Sequence, residues 1–215
     1  EEVVARMRDR MTHRGPDGHG IWSSADKRCV LGHRRLSIID LSDLAAQPMS
    51  NAQGTVTLTF NGEIYNHADV RKELETLGKY TWKTDHSDTE MILHAYEEWG
   101  VDCVTRFYGM FAIGIYDSRD AGRPVLHLIR DRAGIKPIYF AKTKTGEWLF
   151  ASEIRGLTLA DLKFKPESIV DLAGLVEGGK ISSKIAQEVF SEMFDTGEAP
   201  SSIVQRKGLL QVSDT

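Results

Sequence analysis

Six segments between Cys29 and Ser152 carry the β-branched, aromatic or alternating pattern of strands, and none occurs after Gly156. They read "CVLGHRRLSII", "VTLTF", "MFAIGIYD", "VLHLIRD", "PIYFAK" and "WLFAS". Two helical patterns interrupt them: "NHADVRKELETLG", with Val70, Leu74 and Leu77 on one face, and "SDTEMILHAYEEWG". The second opens with Ser87, carries Glu90 three residues on, as a capping box does, and closes before Gly100. Short polar turns such as "KTKTGE" between the later strands predict antiparallel pairing. Several strands are apolar on both faces, so their sheets need cover on both sides. Stacked sheets with helices outside meet that need.

From Gly156 three helical patterns succeed one another, "PESIVDLAGLVEGG", "ISSKIAQEVFSEMFDTG" and "APSSIVQRKG", closing on Gly178, Gly197 and Gly208. Ile185, Val189, Phe190, Met193 and Phe194 fit one apolar stripe. The expected organisation is therefore an α+β domain over residues 1–155 and a small all-α unit over residues 156–215. Lys180, Lys184, Arg206 and Lys207 give the second unit a local basic character that the net charge of -4 conceals. That global charge offers no reason to expect nucleic acid. No apolar run reaches the ~18 residues a bilayer span requires, and "EEVVARMRDR" is not a signal peptide. The two cysteines, Cys29 and Cys103, lack metal-type spacing and point to a reducing compartment, the cytoplasm. The histidines are scattered, so no metal site is expected. "GLVEGGK" imitates a phosphate loop but lacks the subsequent Ser or Thr and a preceding strand.

The stretch "NGEIYNH", Asn61 to His67, stands where the strand "VTLTF" reads as ending. Asn-Gly is hairpin chemistry, yet the pattern from Asn66 onward is helical, which gives strand, polar turn, helix. Such a turn can present a side-chain amide and a backbone N–H to a ligand. Arg35, in an otherwise apolar strand, could grip a carboxylate in a fork. Asp88, in the first turn of its helix, could hold an ammonium, and Asn61 with the Gly62 N–H could stabilise an oxyanion. Together they would clamp a small zwitterion. The plainer alternatives are an Arg35–Asp40 pair and an Asp88 that only favours its helix N-terminus.

Seven ordered motifs carry a resemblance: "HRGPDGHG", "GHRRLSIIDLS", "AQPM", "NGEIYNH", "HSDTE", "GMFAIGIYD" and "RDRAGIKPIYF". Over residues 1–155 they closely resemble the N-terminal glutaminase domain of glutamine-hydrolysing asparagine synthetases, a class II glutamine amidotransferase. The resemblance implies an αββα sandwich of the N-terminal-nucleophile type. It implies glutamine as substrate, held by Arg35, Leu36, Ser37, Ile38 and Ile39, by Asn61, Gly62 and Glu63, and by Asp88. Asn61 and Gly62 would form the oxyanion hole, and ammonia would pass to an acceptor domain or subunit. The family's nucleophile is an N-terminal Cys whose α-amine is the base.

This sequence opens at Glu1, within what resembles the family's first helix, and the Cys-Gly-Ile opening is not in it. Turnover by the chain as it stands is therefore not expected. Cys29 and Cys103 read as packing residues. The Ser-Gly-Gly-x-Asp-Ser loop of the synthetase half is not in the sequence either, so no cofactor is expected in this chain, ATP and magnesium belonging to that half. Residues 156–215, with "GKISSKIAQEVFSEMFDTG", resemble the C-terminal domain of the B subunit of tRNA-dependent Asp/Glu amidotransferases. That implies a tRNA contact through the tail. The alternative to an enzyme is a non-catalytic glutamine- or tRNA-binding module, and a homodimer stays open.

Overall fold

Strands form where β-branched and aromatic residues alternate, and helices cover them where the apolar spacing lengthens to three and four. The computed structural model describes residues 1–36, 43–143, 145–157 and 167–210. It begins with helix α1 (Glu2–Arg10), the hairpin β1 (Gly18–Ser23) and β2 (Val30–Arg35), and a short β3 (Met49–Ser50). Then come β4 (Val56–Ile64), α2 (His67–Thr76), α3 (Asp88–Trp99), β5 (Gly109–Asp117), β6 (Val125–Arg130), β7 (Tyr139–Lys142) and β8 (Trp148–Ala151). The remaining helices are α4 (Ile154–Leu157), α5 (Glu167–Glu177), α6 (Ser183–Thr196) and α7 (Pro200–Lys207). Two compact units result, Glu1–Phe140 with Phe150–Gly156, and Ala141–Leu149 with Leu157–Thr215. No helix among the described residues is long and apolar enough to cross a membrane.

The ladders of the sheets β1-β2 and β3-β4-β5-β6 are antiparallel, β7 and β8 form a separate two-stranded sheet, and an isolated parallel bridge joins Pro16 to Arg35. Val56, Leu58 and Phe60 of β4 with Phe111, Ile113 and Ile115 of β5 pack on Met91, Ile92 and Ala95 of α3 and on Val70 and Leu74 of α2. The opposite face of the same sheet meets β1 and β2: Cys29, Leu31 and Trp22 pack with Tyr116, Leu126 and Phe150. On the far side of β2, α1 lies so close that a Cβ on Gly32 would stand 3.0 Å from Val4 Cγ1. The order is helix, sheet, sheet, helix. This is the expected αββα sandwich, and it explains why the strands are apolar on both faces.

Three sequence expectations change. The strand "CVLGHRRLSII" begins at Val30 and gives out at Arg35, and residues 37–42 lie outside the described part. Its partner β1 was hidden in "GHGIWS", where two glycines break the alternation. The strand before "NGEIYNH" does not end at Asn61. It runs on to Ile64, because Gly62 and Gly109 let the two backbones close: a Cβ on Gly62 would stand 2.1 Å from Met110 O, and one on Gly109 equally near Glu63 O. The turn comes at Tyr65 and Asn66, and the Asn66 side chain accepts from Tyr108 N–H and donates to Arg106 O.

Helix ends are partly as expected. Ser87 Oγ accepts from Glu90 N–H, one half of the capping box. The other half is replaced: the buried Glu90 carboxylate accepts from Lys83 N–H, Thr84 N–H and the Thr84 hydroxyl, at 2.8, 2.8 and 2.6 Å. A buried anion is better served by three donors than by one. Leu77 is 40% exposed and so falls off the buried stripe of Val70 and Leu74. In the helical unit Leu172, Ile181, Val189, Met193, Ile203 and Val204 form one core, with Ile185 and Phe190 against it. The Phe194 side chain lies outside the described part. Left-handed glycines cap α6 and α7 at Gly197 and Gly208, but after α5 the residue with positive φ is Gly179, not Gly178.

Candidate active site

The outer edge of β4 is where the polar groups collect. A strand turns successive N–H groups to opposite sides, so those of Phe60, Gly62 and Ile64 share one edge. Phe111, opposite Gly62, spends its own N–H and carbonyl on Asp131 of the next segment. Gly62 therefore faces Phe111 as a non-hydrogen-bonded pair, and its N–H points away from β5. On that outer edge Phe60 N–H donates to the Gln47 side-chain oxygen at 2.6 Å, and Ile64 N–H to Asp88 Oδ2 at 3.4 Å. The Gly62 N–H lies between these two bonds, at an edge that β3 does not reach.

Asp88 is the first residue of α3 and is buried. Burial pushes its carboxyl above the ordinary 3.8, partly opposed by the Ile64 N–H and by His67. An aspartate in that position would gain by meeting a cation. The next residue, Thr89, accepts a hydrogen bond from Gln47 Nε2 at 3.1 Å. Gln47 therefore joins the edge of β4 to the N-terminus of α3, a link no sequence pattern announces because its partners lie 13 and 42 positions away.

Arg35 ends β2, and the "HRGPDG" stretch fixes it. Asp17 N–H donates to Arg35 O at 3.1 Å, and Gly15 packs on the peptide before Arg35, where a Cβ would stand 2.6 Å from Arg35 N. Two residues back, His33 Nδ1 meets Thr59 Oγ1 of β4 at 3.1 Å. Burial, with the Arg35 cation nearby, pushes the His33 ring down to about 4, so it is neutral at neutral pH. By the same alternation Asn61 shares the face of Thr57 and Thr59, toward the β1-β2 layer. The described residues thus join Asn61, Gly62, Glu63 and Asp88 at one strand end, and tie the strand of Arg35 to β4 through His33. Leu36 is 54% exposed, and Ser37, Ile38 and Ile39 lie outside the described residues.

Neither thiol belongs to this edge chemically. Cys29 and Cys103 are free and buried, and burial pushes both thiols up to about 12, far from the thiolate. In the helical unit, two of the four basic residues are engaged: Arg206 pairs with Glu192 and Glu198, and Lys207 with Glu188 and Glu192. Lys180 and Lys184 are exposed, and neither forms an ion pair among the described residues.

The family described as "Glutamine amidotransferase domain" matches residues 1–203. A probable glutamine-hydrolysing asparagine synthetase of Dictyostelium discoideum is 37% identical over 201 residues, covering 93% of this chain and 33% of that protein. Asparagine synthetase B of Escherichia coli K12 is 43% identical over 149 residues, covering 68% of this chain and 25% of its own length. This chain thus spans a third or less of these relatives. Among solved structures, the glutamine phosphoribosylpyrophosphate amidotransferase of B. subtilis, complexed with ADP and GMP, superposes with a TM-score of 0.60. The match covers 74% of this chain and 40% of that one at 18% identity, a likeness of fold.

Proposed function

The chain belongs to the glutamine amidotransferase domain family, of the kind found in asparagine synthetases, and on that premise we propose that it binds glutamine at the outer edge of β4. Asp88 takes the α-ammonium, Arg35 the α-carboxylate with Leu36 to Ile39 beside it, and Glu63 completes the cradle. Asn61 and the Gly62 N–H receive the oxyanion that forms when a thiolate attacks the side-chain carbonyl carbon. Collapse of that intermediate breaks the C–N bond and releases ammonia, leaving a thioester that water hydrolyses to glutamate. The observation that carries the reading is the Gly62 N–H turned to the strand edge beside the buried Asp88 carboxylate.

The nucleophile in this reading is a terminal cysteine whose own amine is the base, and neither Cys29 nor Cys103 takes that role. Ammonia passes to an acceptor domain or subunit, where ATP and magnesium act; the glutaminase needs no cofactor of its own. Calorimetric titration with glutamine tests the site: binding is expected, lost in Asp88→Asn, and an unresponsive native chain overturns the assignment. Ammonia release is expected once a Cys-Gly-Ile segment precedes Glu1, and release that instead needs Cys29 or Cys103 refutes the nucleophile assignment.

We assign residues 1–155 to this glutaminase and residues 156–215 to a helical module like the amidotransferase B-subunit tail. Exposed Lys180 and Lys184 favour a tRNA contact there, now with two basic residues rather than four. A cytoplasmic setting and a homodimer complete the proposal; light scattering reads the latter directly.

A further inference from the structure

We infer that Gln47 is a positioning residue that keeps the Gly62 N–H open at a fixed place beside Asp88; the inference rests on the glutamine reading above. β3 pairs Met49 with Leu58 and Ser50 with Thr57. Continued, that antiparallel register would set residue 47 opposite 60 and residue 45 opposite 62, so that Ala45 would meet Gly62. Instead β3 begins only at Met49, and Asp43–Ala45 form a 3-10 turn. At the next place in the register Gln47 serves Phe60 N–H with its side chain rather than its backbone.

The other end of the same amide fixes the partner. Gln47 Nε2 donates to the buried Thr89 hydroxyl, one residue past Asp88, and Asp88 in turn accepts from Ile64 N–H. Gln47, Phe60, Ile64, Asp88 and Thr89 thereby close a ring of bonds around the Gly62 N–H. The Gln47 backbone is itself seated, since Gly20 of β1 has no Cβ, and one there would lie 2.1 Å from Gln47 O. A side chain pinned at both ends and by its main chain loses little further freedom when a ligand arrives. The two ends of a bound glutamine, its ammonium and its side-chain carbonyl, are held by groups whose separation this amide sets.

Three variants of the full chain test it, each checked for folding by circular dichroism. Gln47→Leu keeps the shape and removes both bonds, and Thr89→Val removes only the α3 bond. Gln47→Glu restores an acceptor for Phe60 N–H and another for the Thr89 hydroxyl. Glutamine affinity is expected to fall about tenfold or more in Gln47→Leu, less in Thr89→Val, and to recover most of the way in Gln47→Glu. A second readout needs no glutamine: the Asp88 carboxyl, tracked by carbon NMR, should change its titration in Thr89→Val once α3 is untied from the edge of β4. Folded variants that bind glutamine as the native chain does, with Asp88 titrating unchanged, overturn the inference. If the native chain itself ignores glutamine, the site reading fails, and the Asp88 shift alone then decides whether Gln47 positions it. Should Gln47→Leu not fold, the isosteric Thr89→Val decides both readouts.

Discussion

In the sandwich, Asp131 is buried and accepts from three peptide N–H groups, those of Phe111, Ile135 and Lys136, while Glu90 does the same with Lys83 and Thr84. In the helical unit, Glu192 and Glu198 meet Arg206 and Lys207 on the surface instead. Peptide donors are fixed by the fold, so an acid that collects them fixes a loop in return. Cations at the ends of long stems are free to move, and water competes for them. Carboxylates therefore shape this molecule where they take backbone and only decorate it where they take side chains. Asp88 belongs to the first kind, taking the N–H groups of Ile64 and Thr89, and a carboxylate's four acceptor positions leave it capacity for a ligand.

The largest test of that contrast is Asp131→Ala, which strands three peptide donors, that of Phe111 buried, and should destabilise the sandwich by about 3 kcal/mol in denaturant titration. A loss no greater than that of a surface acid would erase the distinction. Next, Arg35→Ala should weaken glutamine binding about tenfold or more, as expected when a guanidinium fork worth ~1.5–3 kcal/mol is lost. It should also let the His33 ring titrate higher, since the Arg35 cation helps hold it near 4. Proton NMR of His33 separates that effect from a general loss of structure.

Acid comes third. A histidine held neutral at about 4 when folded, and free to protonate near 6.5 when unfolded, withholds protons from the native state. Its contribution is present above pH ~6.5 and lost as pH falls toward 4; with the ring only partly buried this is roughly 1–3 kcal/mol. Asp88 has the opposite sign: its raised carboxyl favours the native state when protonated. Glutamine binding should nevertheless fail on acidification, because the ammonium needs the ionised form. Stability and affinity would then both fall as the pH drops, and Asp88→Asn, which should already lack binding, would retain the stability loss. The smallest effect is expected for Arg206→Ala, with no resolvable change in unfolding midpoint. If Lys180 and Lys184 contact tRNA, affinity should drop steeply with added salt; salt-insensitive or absent binding discards that contact.

Much of this architecture was legible because burial on both faces leaves a plain trace: Val56, Leu58 and Phe60 alternate with threonines, and β5 reads without a break. The residues that position the site left fainter traces. Asn61-Gly62 imitated a turn because glycine serves close strand approach as well as it serves reversal. β1 was obscured by glycines that accommodate Gln47 and the hairpin. Gln47 itself was invisible as a function, although its motif was conspicuous, since its bonds cross between elements that sequence order keeps apart. Glu90 looked like half of a cap and instead anchors a loop, a choice made by how deeply it is buried.

The covering of β4 by side chains has one more consequence. A bare strand edge offers a repeating row of donors and acceptors on which another chain can add itself, the route to aggregates and swapped assemblies. Here the row is interrupted at Phe60 by an amide and at Ile64 by a carboxylate, with a single N–H left between them. A second strand would need several donors in register and finds one. A small ligand needs only that one, so an edge covered in this way suits a small molecule better than a polymer.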